Sequence, residues 1–261
     1  MRAMNLFDLT GRSTLITGGN SGLGLSMARG LAKSGANVAI WARDEAKNLA
    51  AVEELKGLGG NGEVIALTCD VAEEEHVEAA MTETLHAFGR VDACFANAGR
   101  SGAGTRIPDM TTQGWDAVMQ INARGPALVY KYASRHMIER AENGDPGGKL
   151  IVTSSGQSIM GVNKSSDYAA SKAAVNGLTR GAAFELARYQ ITANALLFGF
   201  YETGLTKAAD PKFAEWMTKR VPLRRFGDHE GVEGLAVFYA SPHSDYISGT
   251  CLPVDGGLFI S

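Results

Sequence analysis

The stretch Thr17-Gly18-Gly19-Asn20-Ser21-Gly22-Leu23-Gly24 separates the first β-branched run of the chain from a helical pattern. Glycines at its start and middle allow a tight turn and a close approach of the backbone to a pyrophosphate, and the last one allows close helix–strand contact. A helix that begins here presents unpaired N–H groups and its positive dipole end to phosphates. The stretch therefore predicts a dinucleotide-binding turn, with contacts from Gly18, Asn20, Ser21, Gly22, Leu23 and Gly24.

Short β-branched runs alternate with longer helical patterns along the rest of the chain. The predicted strands are 13–17, 37–41, 63–69, 91–96, 149–153, 191–197 and 250–254. The predicted helices are 23–34, 44–58, 73–88, 112–141, 168–188 and 230–240. This alternation predicts an α/β fold of the Rossmann type, a doubly wound parallel β-sheet of about seven strands with helices on both faces.

The segment 199–227 interrupts the alternation and carries a short predicted helix at 211–219. It emerges where the strands of an open α/β sheet end, which is where such sheets bind ligands. Its aromatic residues suit a substrate lid. The alternative is an insertion that only packs against the domain and has no function in binding. Since no Pro/Ser-rich linker or repeat divides the chain, we expect residues 1–261 to form a single domain.

The composition excludes several classes of partner. The 25 basic and 28 acidic residues are well mixed, so no basic block predicts binding to nucleic acid or an anionic membrane. The histidines show no HxH or HExxH pattern and Cys69, Cys94 and Cys251 no CxxC spacing, which predicts buried free thiols and no metal site. Without a signal peptide or a run of ~20 apolar residues, we expect a cytoplasmic protein.

Tyr168 and Lys172 stand four residues apart, on one face of a predicted helix. A free tyrosine has a pKa of about 10, too high for proton exchange at neutral pH. A positive charge one turn away favours the phenolate and lowers that pKa, so the pair could serve as a general acid or base. For the pair alone, a solvated helix edge is the alternative.

The end of the second predicted strand bears on the choice between the two nicotinamide dinucleotides. An NAD-binding fold usually places an acid about 20 residues after the glycines, to hold the ribose 2′-hydroxyl. Ala42 stands near that place, and Arg43 could bind the 2′-phosphate of NADP(H) instead. Asp44 favours NAD(H) if it turns inward, or it begins the next helix, where an acid is favoured. We therefore expect NADP(H).

Together, the glycine turn, Tyr168-x-x-x-Lys172 and the α/β pattern resemble the short-chain dehydrogenase/reductase family over about residues 9–257. The resemblance implies an adenine contact at Asp70 and Val71, although Asp70 could also be an ordinary helix N-cap. It further implies cofactor contacts at Asn97, Ala98, Gly99, Tyr168, Lys172, Gly199 and Thr203.

The resemblance also assigns four catalytic roles. Tyr168 would donate a proton to the carbonyl oxygen during reduction, while Lys172 would lower the Tyr168 pKa and hold the nicotinamide ribose. Ser155 would hydrogen-bond the substrate oxygen as charge develops there. Asn122 would anchor a water that connects Lys172 to solvent, or it could merely cap or bend its helix. Neighbouring Ser154 would point the opposite way on a strand, so only one of the two serines can face the site. The spacing to Tyr168 selects Ser155.

One position departs from the family pattern. The family usually has Pro-Gly after the sixth strand, whereas this chain has Phe198-Gly199. We hypothesise that Phe198 narrows the pocket or offers a surface for aryl groups. The predicted substrate pocket consists of Arg100, Ser101, Gln157, Ile159, Met160, Asn163, Phe198, Phe200 and Tyr201. This mostly apolar set suits a neutral ketone or secondary alcohol, and Arg100 and Lys164 leave an acidic or carrier-linked substrate open.

The sequence thus predicts an NADP(H)-dependent oxidoreductase that interconverts a ketone and a secondary alcohol. One alternative is a 3-oxoacyl-carrier-type reductase, for which Arg224 and Arg225 are the conspicuous docking residues, and another is a sugar or polyol dehydrogenase using NAD(H). A non-catalytic cofactor-binding regulator is disfavoured by the complete set of catalytic residues. The resemblance implies a homo-oligomer, typically a tetramer. The apolar ending 257–260 could form a subunit contact or cover its own core.

Overall fold

The computed structural model of the protein describes residues 6–201 and 211–260. Within this part of the chain, seven strands form one parallel sheet in the order β3-β2-β1-β4-β5-β6-β7. The strands are β1 (Ser13–Thr17), β2 (Asn37–Ala42), β3 (Val64–Thr68), β4 (Ala93–Ala96), β5 (Gly148–Ser155), β6 (Ile191–Phe198) and β7 (Cys251–Val254). The predicted fold class is confirmed, since the order reverses between β1 and β4 as in a doubly wound sheet.

Helices cover the sheet. They are α1 (Gly22–Lys33), α2 (Glu45–Lys56), α3 (Glu74–Phe88), α4 (Thr112–Met119), α5 (Gly125–Glu142), α6 (Ser166–Leu186), α7 (Pro211–Arg220) and α8 (His229–Ala240). Among the described residues, no helix has the length and apolarity needed to cross a membrane.

The single helix predicted over 112–141 is interrupted. A π-helical segment, Gln120–Arg124, separates α4 from α5. Such segments insert an extra residue into a helix and are frequent at functional sites. Here the π segment contains Asn122, so the interruption falls on a predicted catalytic residue.

The strands β5 and β6 are longer than predicted, whereas β7 begins one residue later than predicted. β5 continues two residues beyond Thr153, to Ser155, and β6 extends to Phe198, which pairs with Ser155. Because the strands run parallel, these two residues lie at the same edge of the sheet. This carboxyl edge is where open α/β sheets bind their ligands.

Two apolar clusters lie on opposite faces of the sheet, because successive residues of a strand point to opposite sides. Ile16 joins the cluster beneath α1 and α8, whereas its neighbour Leu15 joins the cluster beneath α3, α5 and α6. The strands β1 and β6 are buried along their whole length, as expected for a sheet covered on both faces. Of the predicted buried thiols, Cys69 and Cys94 are buried and Cys251 is half-buried.

Candidate active site

The glycine turn has the geometry that its sequence predicts. Gly18 and Gly22 adopt φ values of 65° and 53°, in the left-handed region that favours glycine. A Cβ on Gly24 would lie 2.2 Å from the carbonyl oxygen of Gly18, so the helix can approach the turn only with glycine there. The side chain of Ser21 does not cap α1, which leaves the first N–H groups of the helix for a ligand. The turn therefore fits a pyrophosphate.

Asn97 ties the glycine turn to the neighbouring strands. Its backbone N–H donates to Thr17 Oγ1 at 2.9 Å, and its Nδ2 donates to the Thr17 carbonyl at 3.0 Å. Its Oδ1 accepts from Thr153 Oγ1 at 2.9 Å. The Ala98 N–H also donates to Thr17 Oγ1, at 2.9 Å. Asn97 thus joins the ends of β1, β4 and β5, where a dinucleotide would lie.

Arg43 and the two acids near it are arranged for different tasks. Asp44 caps α2 by accepting a backbone N–H at 3.1 Å, which is the helix-starting role anticipated for it. Arg43 is exposed and lies 3.6 Å from the carboxylate of Asp70. Asp70 accepts the N–H of Ala72 at 3.0 Å, whereas the N-cap of α3 is Glu73. The N-cap alternative for Asp70 is therefore wrong, because its carboxylate closes the turn before the helix.

Three other predicted cofactor contacts have side chains engaged within the protein. Asn20 donates to Asn48 Oδ1 at 2.8 Å, beside the start of α2. Leu23 packs, partly buried, on the cluster beneath α1, and Val71 is buried against Gly125. Any contact they make with a cofactor would use the backbone or the remaining exposed surface. Thr203 lies outside the described residues, and Gly199 follows β6 directly.

The two neighbouring serines of β5 face different partners. Ser155 Oγ accepts the N–H of Gln157 at 3.3 Å and hydrogen-bonds the phenol of Tyr168. Burial raises the pKa of that phenol, and this hydrogen bond opposes part of the rise. Ser154 is buried and donates to the Lys172 carbonyl at 3.2 Å. The geometry favours Ser155 over Ser154 as the hydroxyl beside the tyrosine, as the spacing predicted.

Tyr168 and Lys172 lie on one face of α6, with Nζ of Lys172 at 5.7 Å from the centre of the Tyr168 ring. Burial lowers the pKa of Lys172 to about 8. Burial also raises the pKa of Tyr168, and the opposing effect of Ser155 is smaller. Burial outweighs the hydrogen bond from Ser155, and the lowering of the Tyr168 pKa by Lys172 stays a prediction. The ammonium donates to the Thr153 carbonyl at 2.8 Å, and both side chains lose their solvation.

Asn122 is fully buried in the π segment and clamps a loop. Its Oδ1 accepts the Arg100 N–H at 2.8 Å and its Nδ2 donates to the Arg100 carbonyl at 2.9 Å. The same Nδ2 lies 3.2 Å from Ser171 Oγ. The side chain therefore fixes the loop after β4 to α6, and the water-anchoring role stays a prediction.

Sequence reasoning missed Asp167, which is buried next to Tyr168. Its Oδ1 accepts the Tyr168 N–H at 2.8 Å, and its Oδ2 accepts the Ala103 N–H at 2.7 Å. A Cβ on Gly102 would lie 2.5 Å from this carboxylate. Asp167 thus holds the loop after β4 against the first turn of α6. The sequence signal that could have identified Asp167 is an acid directly before the tyrosine, at the start of a predicted helix.

The predicted pocket residues lie on separate segments and do not line one cleft. Gln157, Ile159 and Met160 follow Ser155, and Gln157 accepts a hydrogen bond from Ser165. Phe200 and Tyr201 instead line a cleft of about 220 Å³, together with residues from Leu223 to Leu235 and from Val254 to Gly256. Ser101 and Asn163 are exposed on the loops on either side of Asp167.

Phe198 lies in the core rather than on an open pocket wall. Its side chain is 5% exposed and belongs to the cluster beneath α1 and α8. The ring contacts Tyr201 edge-on, with the ring centres 5.3 Å apart. The alternation of β6 sends Phe198 to the face opposite Leu197, so the bulky ring is accommodated by packing. The hypothesis that this ring offers a surface for aryl groups is not supported by this position.

Comparisons with known proteins agree with this geometry. The family described as enoyl-(acyl carrier protein) reductase matches residues 18–259. The 5-keto-D-gluconate 5-reductase of Escherichia coli is 37% identical over 261 residues, covering 98% of this chain and 99% of the relative. The 3-oxoacyl-[acyl-carrier-protein] reductase MabA of Mycobacterium tuberculosis is 34% identical over 247 residues, covering 95% and 92%. The solved structure of a gluconate 5-dehydrogenase from Burkholderia cenocepacia, in complex with NADP and tartrate, has a TM-score of 0.89 and 37% identity, covering 98% of each chain.

The chain belongs to the short-chain dehydrogenase/reductase family. It is an oxidoreductase that acts on carbonyl and alcohol groups with a nicotinamide cofactor. The sequence-based predictions of family, fold and reaction class are therefore confirmed, and a non-catalytic regulator is excluded.

Proposed function

We propose that the protein is an NADP(H)-dependent reductase and dehydrogenase that interconverts a ketone and a secondary alcohol, with Tyr168 as the general acid and base. One observation carries this proposal: the Tyr168 phenol hydrogen-bonds the Ser155 hydroxyl, and Nζ of the buried Lys172 lies 5.7 Å from the centre of the Tyr168 ring. A substrate oxygen placed there meets a proton donor and a second hydrogen-bond donor together.

The residues divide the chemistry among themselves. When bound, the nicotinamide supplies or accepts the hydride. Tyr168, whose pKa is raised by burial, stays protonated at neutral pH and donates its proton to the carbonyl oxygen during reduction. Ser155 donates a hydrogen bond to the same oxygen as negative charge develops on it. Lys172, which is charged below a pH of about 8, stabilises the phenolate that remains and would hold the ribose hydroxyls.

The residues around Arg43 support NADP(H) over NAD(H). The neighbouring Ala42 offers no carboxylate to a ribose hydroxyl, and Asp44 is committed to capping α2. The guanidinium of Arg43 is 68% exposed and can reach a 2′-phosphate. The glycine turn would hold the pyrophosphate and Asp70 the adenine. The Burkholderia cenocepacia relative was solved with NADP, which agrees with this choice.

Steady-state kinetics with both cofactors test the proposal. Nicotinamide absorbance would be followed with NADPH and NADH against a panel of neutral ketones, aryl ketones and 5-keto-D-gluconate. Arg43→Asp should raise the KM for NADPH sharply and affect the KM for NADH little. An unchanged KM for NADPH would reject Arg43 as the 2′-phosphate ligand, and no turnover with any ketone would reject the substrate class.

A sugar acid is the second candidate substrate. Two of the relatives are named for reactions of gluconate or 5-ketogluconate, at 37% identity. The backbone of Arg100 is fixed to Asn122, and its exposed side chain makes no ion pair within residues 6–201 and 211–260. A guanidinium on a loop that is fixed to Asn122 suits a substrate carboxylate. Arg100→Ala should raise the KM for 5-keto-D-gluconate and leave that for a neutral ketone unchanged, and equal effects on both would remove this candidate.

The carrier-linked alternative has less support from the surface. Arg225 is paired with Asp228 at 3.0 Å, and Arg224 donates to the Lys219 carbonyl. Both guanidinium groups of the predicted docking patch are therefore already engaged. The 34% identity to the 3-oxoacyl reductase keeps a 3-oxoacyl thioester in the substrate panel.

We also propose a single domain and a homo-oligomer. The continuous seven-stranded sheet supports the first, and the family resemblance together with Phe184, which is 89% exposed on α6, supports the second. Light scattering after gel filtration would give the assembly size, and a monomer at micromolar concentration would reject the tetramer. The lid function of 199–227 and the cytoplasmic location stay predictions.

A further inference from the structure

The ring of Phe259 occupies the space beside the residue that follows Ser155. Gly156 is buried, and a Cβ built on it would lie 1.3 Å from Cζ of Phe259 and 1.8 and 1.9 Å from two further ring atoms. The ring thus stands where any other residue at 156 would place its side chain. Phe259 and Gly156 are therefore matched in shape, although they are far apart in the sequence.

The carboxylate of Asp255 holds the backbone that carries the ring. The N–H of Phe259 donates to Asp255 Oδ2 at 2.7 Å, and the N–H of Gly257 donates to Oδ1 at 3.0 Å. Asp255 directly follows β7, whose last residue Val254 accepts the Gly199 N–H at 3.0 Å. These hydrogen bonds therefore fix Phe259 relative to the ends of β6 and β7.

We propose that Phe259 is a positioning residue for the Ser155 hydroxyl, an inference that rests on the role proposed above for Ser155. The short 3₁₀ turn Gly156–Ser158 begins where β5 ends, and its Gln157 N–H donates to Ser155 Oγ. A ring pressed on Gly156 keeps this turn from moving toward the C-terminal segment. Without the ring, the turn and the hydroxyl on it can shift away from Tyr168. A misplacement of about 1 Å in an active site costs on the order of 10²-fold in rate.

A double-mutant cycle separates positioning from a general loss of structure. Phe259→Ala should lower kcat about 10- to 100-fold for the ketone of the panel with the highest kcat/KM. The Kd for NADPH, measured by fluorescence titration, should stay within about twofold, because the pyrophosphate turn lies elsewhere. In a Ser155→Ala background, Phe259→Ala should cause no further loss of kcat. An equal loss in both backgrounds would overturn the proposal.

The single variants distinguish failure of this inference from failure of the proposed function. If Ser155→Ala keeps full turnover, the role of Ser155 is wrong and the positioning proposal falls with it. If Ser155→Ala loses turnover while folded Phe259→Ala keeps it, only the positioning proposal is wrong.

Gly156→Ala keeps the test decisive even where Phe259→Ala folds poorly. The added methyl group must collide with the ring, so Gly156→Ala alone should lower kcat. Adding Phe259→Ala should restore part of it, since the methyl group then has room. Leu258→Ala removes an apolar side chain from the same turn and should lower Tm while changing kcat less than about threefold. Absence of rescue, or an equal kcat loss in Leu258→Ala, would overturn the proposal.

Discussion

The carboxyl edge of the sheet is built differently at its two ends. Along β1 and β4 the structure presents backbone groups, and its shape depends on glycines such as Gly18 and Gly24, where a side chain would collide or strain the turn. Along β5 and α6 it presents buried side chains, Ser155, Tyr168 and Lys172, whose ionisation depends on burial. The cofactor end is therefore sensitive to added volume, and the reaction end to lost functional groups and to pH.

The largest expected effect is at the reaction end. Tyr168→Phe removes the hydroxyl that exchanges the proton but keeps the ring, so kcat should fall about 10³-fold, within the range of lost acid–base catalysis. The Kd for NADPH should stay nearly unchanged, since the substitution keeps the Tyr168 ring, Lys172 and the glycine turn. Stopped-flow and fluorescence titration measure the two quantities. Retained turnover would refute Tyr168 as the acid and base, and a loss of cofactor affinity would show that the two ends are not separable.

The difference between the two ends also explains what the sequence could predict. The glycine turn is a local steric requirement, so its spacing revealed both its position and its task. The pair Tyr168 and Lys172 was visible through helical spacing, but its pKa values were not, because they depend on burial by distant segments. Two contacts join residues that are far apart in the chain: Asp167 with Ala103, and Phe259 with Gly156. No local sequence pattern predicts either contact.

Phe198 is a second case in which the sequence did not predict where a side chain lies. The departure from Pro was evident in the sequence, but the strand β6 had to be placed before its face could be assigned. The alternation directs the ring into the core beneath α1 and α8, where Tyr201 packs against it. Element identity was thus predictable, whereas the direction of Phe198 was not, because the predicted strand 191–197 stopped one residue short of it.

The second effect is on stability and depends on pH. Lys172 has a pKa of about 8 when folded against 10.5 ordinarily, so charging it in the folded state costs up to about 3 kcal/mol. Between these values the unfolded chain binds more protons, and stability therefore rises with pH through this range. Lys172→Met should consequently be more stable than the wild type near pH 6, by a margin that shrinks toward pH 10.5. Thermal unfolding from pH 6 to 10.5, without cofactor, measures this difference.

The exposed Lys56 at the end of α2 provides the matched control for this experiment. Lys56→Met removes an exposed ammonium instead of a buried one, so its Tm change at each pH is the reference for that of Lys172→Met. A difference for Lys172→Met that does not vary with pH would mean that its charge is not penalised by burial.

The third effect belongs to the cofactor end. Gly24→Ala places a methyl group 2.2 Å from the Gly18 carbonyl oxygen, so it should cost about 2 kcal/mol of stability as overpacking. The displaced turn should also raise the Kd for NADPH at least about tenfold. Gly177→Ala in α6 is the control, since its Cβ meets open space and alanine favours a helix by about 1 kcal/mol. Equal stability changes in the two variants would show that the turn tolerates volume.

The smallest effect concerns the ion pair of Arg43 and Asp70 at the cofactor end of the sheet. Both groups are partly exposed and 3.6 Å apart, so their attraction is worth about 0.2–1 kcal/mol. A 2′-phosphate must compete with the carboxylate for the guanidinium. Asp70→Asn keeps an acceptor for the Ala72 N–H but removes the competing charge, so the affinity for 2′,5′-ADP should rise up to about fivefold relative to that for 5′-ADP. Calorimetric titration of both nucleotides decides this, because an equal change for the two would place the role of Asp70 at the adenine alone.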